Sequence, residues 1–198
     1  MAIRRINFHG GPGCGKSTMA PDVYSVFKKK HRKIELVQEF IKKRAYEKRK
    51  LVSYDADFIF ASQMQEEDFF LRYVDAVVTD SPLLMNAGYS TMYGFKGAPR
   101  LLQSAKEFED DFNSLNFYIH RTVPYQADGR FQTEAEAKEV DTYLFKFIVD
   151  HIRGPLRVVT VDEMPFILKT IEKEVFGECA SCGGDQYLQP CSTCGVTE

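Results

Sequence analysis

The alternation of apolar and polar positions changes period repeatedly along the chain, and each change marks an element. Ile3-Arg4-Arg5-Ile6-Asn7-Phe8 reads as a short strand, and after a glycine-rich break Thr18 to Lys30 reads as a helix. That helix ends in Lys28-Lys29-Lys30, cations suited to a helix C-terminus. Ile34 to Gln38 predicts a second strand with Glu39 at its C-terminal end, and Phe40 to Lys50 a basic, helical segment. Asp55 to Tyr73 predicts a long helix carrying Phe58, Phe60, Phe69 and Phe70. Val74 to Thr79 is a near-continuous apolar run, the pattern of a strand buried on both faces, and it ends in Asp80-Ser81-Pro82. Gly88 to Pro99, rich in Gly, Ser and Tyr, predicts a mobile loop, and Leu101 to Leu115 a helix. Phe117 to His120 predicts the fourth strand, followed by a polar segment from Arg121 to Arg130. Thr133 to Ile152 predicts a helix with Thr133 as N-cap and Glu136 at the capping-box spacing. Arg157 to Val161 predicts the fifth strand, and Asp162 the cap of a last helix reaching about Val175. No internal repeat interrupts this order.

Strands alternating with helices argue an α/β fold with a parallel sheet covered on both faces. Functional residues then belong at the C-terminal strand ends, where Glu39, Asp80, His120 and Arg121 fall. At 198 residues and 44% hydrophobic, the chain suits one globular domain over residues 1–176 with a small appendage over 177–198. No apolar run approaches a membrane span, and the N-terminus leads directly into a strand, so a cytoplasmic protein without a membrane partner is expected. The formal net charge of −2 gives no overall pull toward nucleic acid, but eleven of the 26 Lys and Arg lie between Lys28 and Lys50. They make a local basic surface on a balanced protein.

The break after the first strand is Gly10-Gly11-Pro12-Gly13-Cys14-Gly15-Lys16-Ser17-Thr18, which fits G-x-x-x-x-G-K-[ST] without a mismatch. Between a strand and a helix this is a phosphate-binding loop for ATP. Its glycines let successive N–H groups curl around phosphate oxygens, and the helix N-terminus adds its unsatisfied donors. Gly11, Pro12, Gly13, Cys14, Gly15, Lys16, Ser17 and Thr18 are the expected nucleotide contacts. Lys16 is expected at the β- and γ-phosphates, and the Ser17 hydroxyl on Mg²⁺. Asp80, closing an apolar strand, is expected to hold the same Mg²⁺. Glu39 is a second acid facing that cleft, placed to accept or orient a proton from an alcohol acceptor. Arg121 and Arg130 bracket a segment with Pro124 and Gly129, the composition of a lid over about 121–132 that brings guanidinium groups to the transferring phosphoryl. Gln63, among the aromatics of its helix, is a candidate to read a base edge. The tail holds Cys179-x-x-Cys182 and Cys191-x-x-Cys194, eight residues apart, each knuckle followed by glycine. Four thiolates at that spacing predict a tetrahedral Zn²⁺ ribbon.

These residues resemble one family: the small P-loop proteins of tailed bacteriophages related to nucleoside and nucleotide kinases. The likeness runs from Ile3 to about Asp141. It rests on Ile6 to Thr18, Glu35 to Phe40, Phe60-Ala61-Ser62-Gln63, Val74 to Leu84, and Gly129-Arg130-Phe131-Gln132-Thr133. The resemblance implies a P-loop NTPase, nucleotide-kinase-like sheet of order 2-3-1-4-5 with a lid. In related deoxynucleoside kinases the acid after strand 2 is the base, and a glutamine on the next helix pairs with the nucleobase; Glu39 and Gln63 match those places. The chain departs from them at Asp80-Ser81-Pro82, where those kinases carry Glu-Arg-Ser. Some similar phage proteins phosphorylate 5-hydroxymethyluracil in DNA. Lys42, Lys43 and Arg44, directly after Glu39-Phe40-Ile41, suit a phosphodiester backbone at the acceptor side. The leading expectation is therefore an ATP-dependent kinase for hydroxymethyl pyrimidine in DNA. A kinase for free nucleosides or nucleotides, and an ATPase switch that engages a partner through the zinc tail, are the alternatives.

Overall fold

The computed structural model describes residues 2–40, 51–122 and 133–177. The expected DNA contacts Lys42, Lys43 and Arg44, the lid arginine Arg130, and Cys179, Cys182, Cys191 and Cys194 lie outside the described residues.

Short, apolar strands form the centre. They are β1 (Ile3–His9), β2 (Ile34–Val37), β3 (Ala76–Thr79), β4 (Asn113–Ile119) and β5 (Leu156–Val159). All pair in parallel, in the order β2-β3-β1-β4-β5 expected from the resemblance. The helices are α1 (Lys16–Lys29), α2 (Ser53–Leu71), α3 (Leu83–Met92), α4 (Ala98–Asp111), α5 (Glu134–His151) and α6 (Met164–Ile171). None is long and apolar enough to cross a membrane among the described residues.

Alternation along the strands divides the core in two. Ile6 and Phe8 of β1, with Leu115, Phe117 and Ile119 of β4, pack on Met19, Val23 and Phe27 of α1 and Ile167 and Ile171 of α6. Val37 and Val77 instead join Phe60, Leu83, Met85, Leu101, Leu144 and Phe147 from α2 to α5. On this second face the middle of the sheet is polar: Arg5, Asn7, His9 and Asn116 are all buried. Arg5 Nε donates to Glu67 of α2 at 2.9 Å and its Nη1 to Glu109 of α4 at 2.7 Å. An arginine in a central strand thereby ties two covering helices to the sheet.

Three expectations change. Gly88 to Pro99 is not a loop: α3 covers Leu83–Met92, and α4 starts at Ala98. Gly88 faces α5 so closely that a Cβ would lie 3.0 Å from Leu144 and Phe147, so the glycine permits helix contact and does not signal a turn. The helix expected over Leu101 to Leu115 ends at Asp111, because the chain from Asn113 on pairs with β1. Thr160, not Asp162, opens the last helical segment: its N–H donates to Glu163 Oε2 at 2.7 Å, while Asp162 lies inside the turn Val161–Glu163. Thr133 and Glu136 form the expected capping box ahead of α5.

Candidate active site

The loop between β1 and α1 is shaped for an anion. Gly13 and Gly15 have φ of 79° and 106°, a region that suits glycine. Gly15 is the N-cap of α1, no side chain caps the helix, and its first turn holds no acid. Within α1 itself no carboxylate competes for the first N–H groups or for the positive end of the dipole. Lys16 Nζ donates to the Gly11 carbonyl at 2.7 Å and lies 3.9 Å from the buried Cys14 Sγ, so the ammonium curls over the loop. Ser17 and Thr18 are exposed at the mouth. These residues fit a triphosphate chain, and Ser17 with Asp80 offers the hard oxygen donors that suit Mg²⁺. Among the described residues no group of three or more His, Cys, Asp or Glu forms a metal cluster.

The sheet brings the two expected acids together. Val37 of β2 and Asn7 of β1 both lie opposite Thr79 of β3, so Asp80 emerges between the loop strand and the end of β2. Asp80 is buried, and its Oδ1 accepts the backbone N–H of Glu39 at 2.9 Å. Glu39 itself is half-buried.

Arg121 follows β4 and turns onto the loop from the other side. It donates from Nε to Asp141 Oδ2 at 2.7 Å, and from Nη2 to Asp141 Oδ1 at 3.0 Å and the Pro12 carbonyl at 2.6 Å. Asp141, on α5, was not singled out by motif. It presses on Gly11 so closely that a Cβ there would lie 1.7 Å from Asp141 Oδ1. Its carbonyl accepts from Tyr118 Oη at 2.9 Å, and burial, then Asp141, pushes that phenol upward.

Tyr89 of α3 is a second residue without a motif signal. Burial raises its phenol well above the usual range, and Glu39, Cys14, Tyr93 and Asp141 add to the shift in that order. The group therefore stays protonated near Glu39 and Asp141. Phe40 meets the exposed Phe58 of α2 edge-on at 5.4 Å, an aromatic pair immediately after Glu39. Gln63, expected to read a base, is 1% exposed, and its Nε2 donates to Glu67 and to Thr79 Oγ1, each at 3.0 Å.

His9, the last residue of β1, faces the polar seam and not the phosphate loop. Its Nε2 meets Asn116 Oδ1 at 3.0 Å, an oxygen that also accepts from Asn7 Nδ2 at 3.0 Å. Burial pulls His9 down to about 4 against the raising effect of the Asn116 bond, with Arg5 and Lys16 lowering it further.

Among solved structures, the crystal structure of the NadR protein in complex with NR superposes with a TM-score of 0.65 at 13% identity. The superposition covers 87% of this chain and 52% of that one, so the chain spans about half the length of NadR. The crystal structure of APE1195 gives a TM-score of 0.47 at 14% identity, covering 86% of this chain and 95% of that one. At 13% identity the likeness to NadR is one of fold. No curated protein matches the sequence. A family profile described as AAA domain matches residues 5–162, from the first strand through the phosphate loop and both acids to the turn after β5. On that match, the chain belongs to the AAA domain family of P-loop NTPases.

Proposed function

We propose that this protein is an ATP-dependent phosphotransferase with an alcohol acceptor. The observation that carries this is the joining of Glu39 and Asp80 at adjacent strand ends beside the phosphate loop. Glu39 follows β2 next to the metal-holding acid, where a carboxylate can take the proton of an acceptor hydroxyl; the same group can activate water, and the acceptor screen below separates transfer from hydrolysis. Lys16 would bind the β- and γ-phosphates, and Ser17 and Asp80 would hold Mg²⁺, which would neutralise charge on the phosphate oxygens. The acceptor oxygen forms a bond to the γ-phosphorus, the bond to the bridging oxygen breaks, and ADP leaves. The hydroxyl proton passes to Glu39. Arg121 reaches the phosphates on giving up Asp141 and the Pro12 carbonyl.

For the acceptor we infer the hydroxymethyl group of a pyrimidine in DNA. The support is the resemblance and the run Lys42-Lys43-Arg44, which begins three residues after Glu39. Such a base must leave the stack to meet the cleft. The exposed Phe58 against Phe40 offers an aromatic edge for it. The four tail cysteines are read as one Zn²⁺ site.

The test is a screen for transfer of labelled γ-phosphate to DNA with and without hydroxymethyl pyrimidines, and to free nucleosides and nucleotides. Label on the modified DNA supports the full reading. Label on a monomer alone keeps the kinase and replaces the acceptor. Hydrolysis of ATP with no labelled acceptor overturns the kinase.

A further inference from the structure

Gln63 lies in a continuous chain of polar contacts that ends at the backbone N–H of Ser81, the residue after Asp80. Arg5, held by Glu109 at 2.7 Å and Ser114 Oγ at 3.2 Å, donates to Glu67 Oε2. Glu67 Oε1 accepts one amide hydrogen of Gln63 at 3.0 Å, and Thr79 Oγ1 accepts the other at 3.0 Å. The same Thr79 oxygen accepts the backbone N–H of Ser81 at 3.1 Å. Gln63, Glu67 and Thr79 are 1%, 0% and 0% exposed, so water does not compete for these bonds.

The consequence is local and geometric. Asp80 lies between Thr79 and Ser81, and a hydrogen bond from the Ser81 N–H to the Thr79 side chain closes a tight turn around it. The Glu39 N–H holds one carboxylate oxygen from outside that turn. Gln63 orients the Thr79 hydroxyl oxygen, and Glu67 with Arg5 orients Gln63. A residue that looks placed to read a substrate instead faces the sheet.

We propose that Gln63 and Thr79 are positioning residues for Asp80, setting the carboxylate for the divalent cation of the nucleotide. This rests on the reading of Asp80 as a metal-holding acid. Partners behind a metal-holding carboxylate commonly change metal affinity 10–100-fold when removed.

The experiment uses the full-length protein with a non-hydrolysable ATP analogue and Mn²⁺ as the probe, free Mn²⁺ being counted by electron paramagnetic resonance. Thr79→Val and Gln63→Met keep side-chain volume and remove one partner each. Each should weaken Mn²⁺ binding about tenfold. The double variant should be no weaker than Thr79→Val, because Gln63 acts on Asp80 through the Thr79 oxygen. Thr79→Ser keeps the oxygen and should bind as wild type does. Melting temperatures are recorded for every variant, and Gln63→Met carries the test if Thr79→Val fails to fold. Lowered melting with unchanged Mn²⁺ affinity would make the chain a stability device only and overturn the proposal. Asp80→Asn serves as the reference. If it too leaves Mn²⁺ affinity unchanged, the metal-holding role of Asp80 is wrong and the positioning role falls with it. If Asp80→Asn weakens binding while the other variants do not, only the positioning role falls.

Discussion

The backbone N–H of Glu39 donates to Asp80 Oδ1 at 2.9 Å, so the ends of β2 and β3 are locked together by the two acids expected to share the chemistry. The bond uses the main chain of Glu39, which leaves the identity of its side chain independent of how Asp80 is held. Substitutions at the two positions can therefore be read separately.

Gly11 and Asp141 are in contact across the loop, and a methyl group at Gly11 would fall 1.7 Å from Asp141 Oδ1. Gly11→Ala should displace that carboxylate, release Arg121 and disturb the loop, weakening ATP binding and slowing turnover by about a hundredfold, as ångström-scale misplacement in a site can. Gly11→Ala/Asp141→Ala removes the clash partner and should recover part of the loss. Equilibrium titration with a fluorescent ATP analogue and a turnover assay measure both variants. A single variant that binds as wild type, or a double variant no better than the single, would contradict the contact.

Glu67 is fully buried against Arg5, which is 2% exposed. Glu67→Ala leaves a buried guanidinium with Glu109 as its one remaining carboxylate in the group. Denaturant unfolding should show a loss of about 3–5 kcal/mol, as when one partner of a buried ion pair is removed. A loss under about 1 kcal/mol would mean that the seam admits water.

His9 titrates far below its unfolded value of 6.5, at about 4. Between these values the unfolded chain binds the proton more tightly, so stability rises with pH through that window and falls as the solution is acidified. The full effect is about 3 kcal/mol at 1.4 kcal/mol per pH unit. Unfolding curves from pH 7 to pH 4 for wild type and His9→Asn isolate it, since carboxylate titrations are common to both. Equal slopes in the two proteins would contradict a neutral, buried His9.

Each chain should carry about one Zn²⁺, the content of a four-thiolate site. Elemental analysis of the purified protein gives the value, and Cys191→Ser or Cys194→Ser should release the metal. Metal-free protein with four titratable tail thiols would contradict the ribbon.

Legibility in the sequence followed the range of the interactions involved. The phosphate loop was readable because its glycines, lysine and serine are adjacent in sequence and each has a chemical duty. The Thr133–Glu136 cap was readable because both partners sit within one turn. Asp80 is legible because a near-continuous apolar run stops at it, and Glu39 because it follows the short Ile34 to Gln38 strand pattern. Arg5 had no such signal, since its partners Glu67 and Glu109 are 62 and 104 residues away. Gly88 was misread because a glycine that admits a neighbouring helix looks, in sequence, like one that makes a turn. In sequence Gln63 reads as a candidate base contact among the aromatics of its helix. Its burial depends on Thr79, which the fold brings beneath α2. Asp141 and Tyr89 carry no motif and enter the site through the packing of α5 and α3.

The central claim is a division of labour between the two joined acids, and one comparison tests it: single-turnover phosphate transfer by wild type, Glu39→Gln and Asp80→Asn, with ATP affinity and Mg²⁺ dependence measured on the same samples. Glu39→Gln keeps the backbone bond to Asp80. It should slow transfer by about 10²–10⁴-fold, the usual loss on removing a general base, with ATP affinity and Mg²⁺ dependence close to wild type. Asp80→Asn should shift the Mg²⁺ dependence to higher concentration. Transfer at the wild-type rate in Glu39→Gln, with Asp80→Asn inactive at saturating Mg²⁺, would contradict the account and make Asp80 the base.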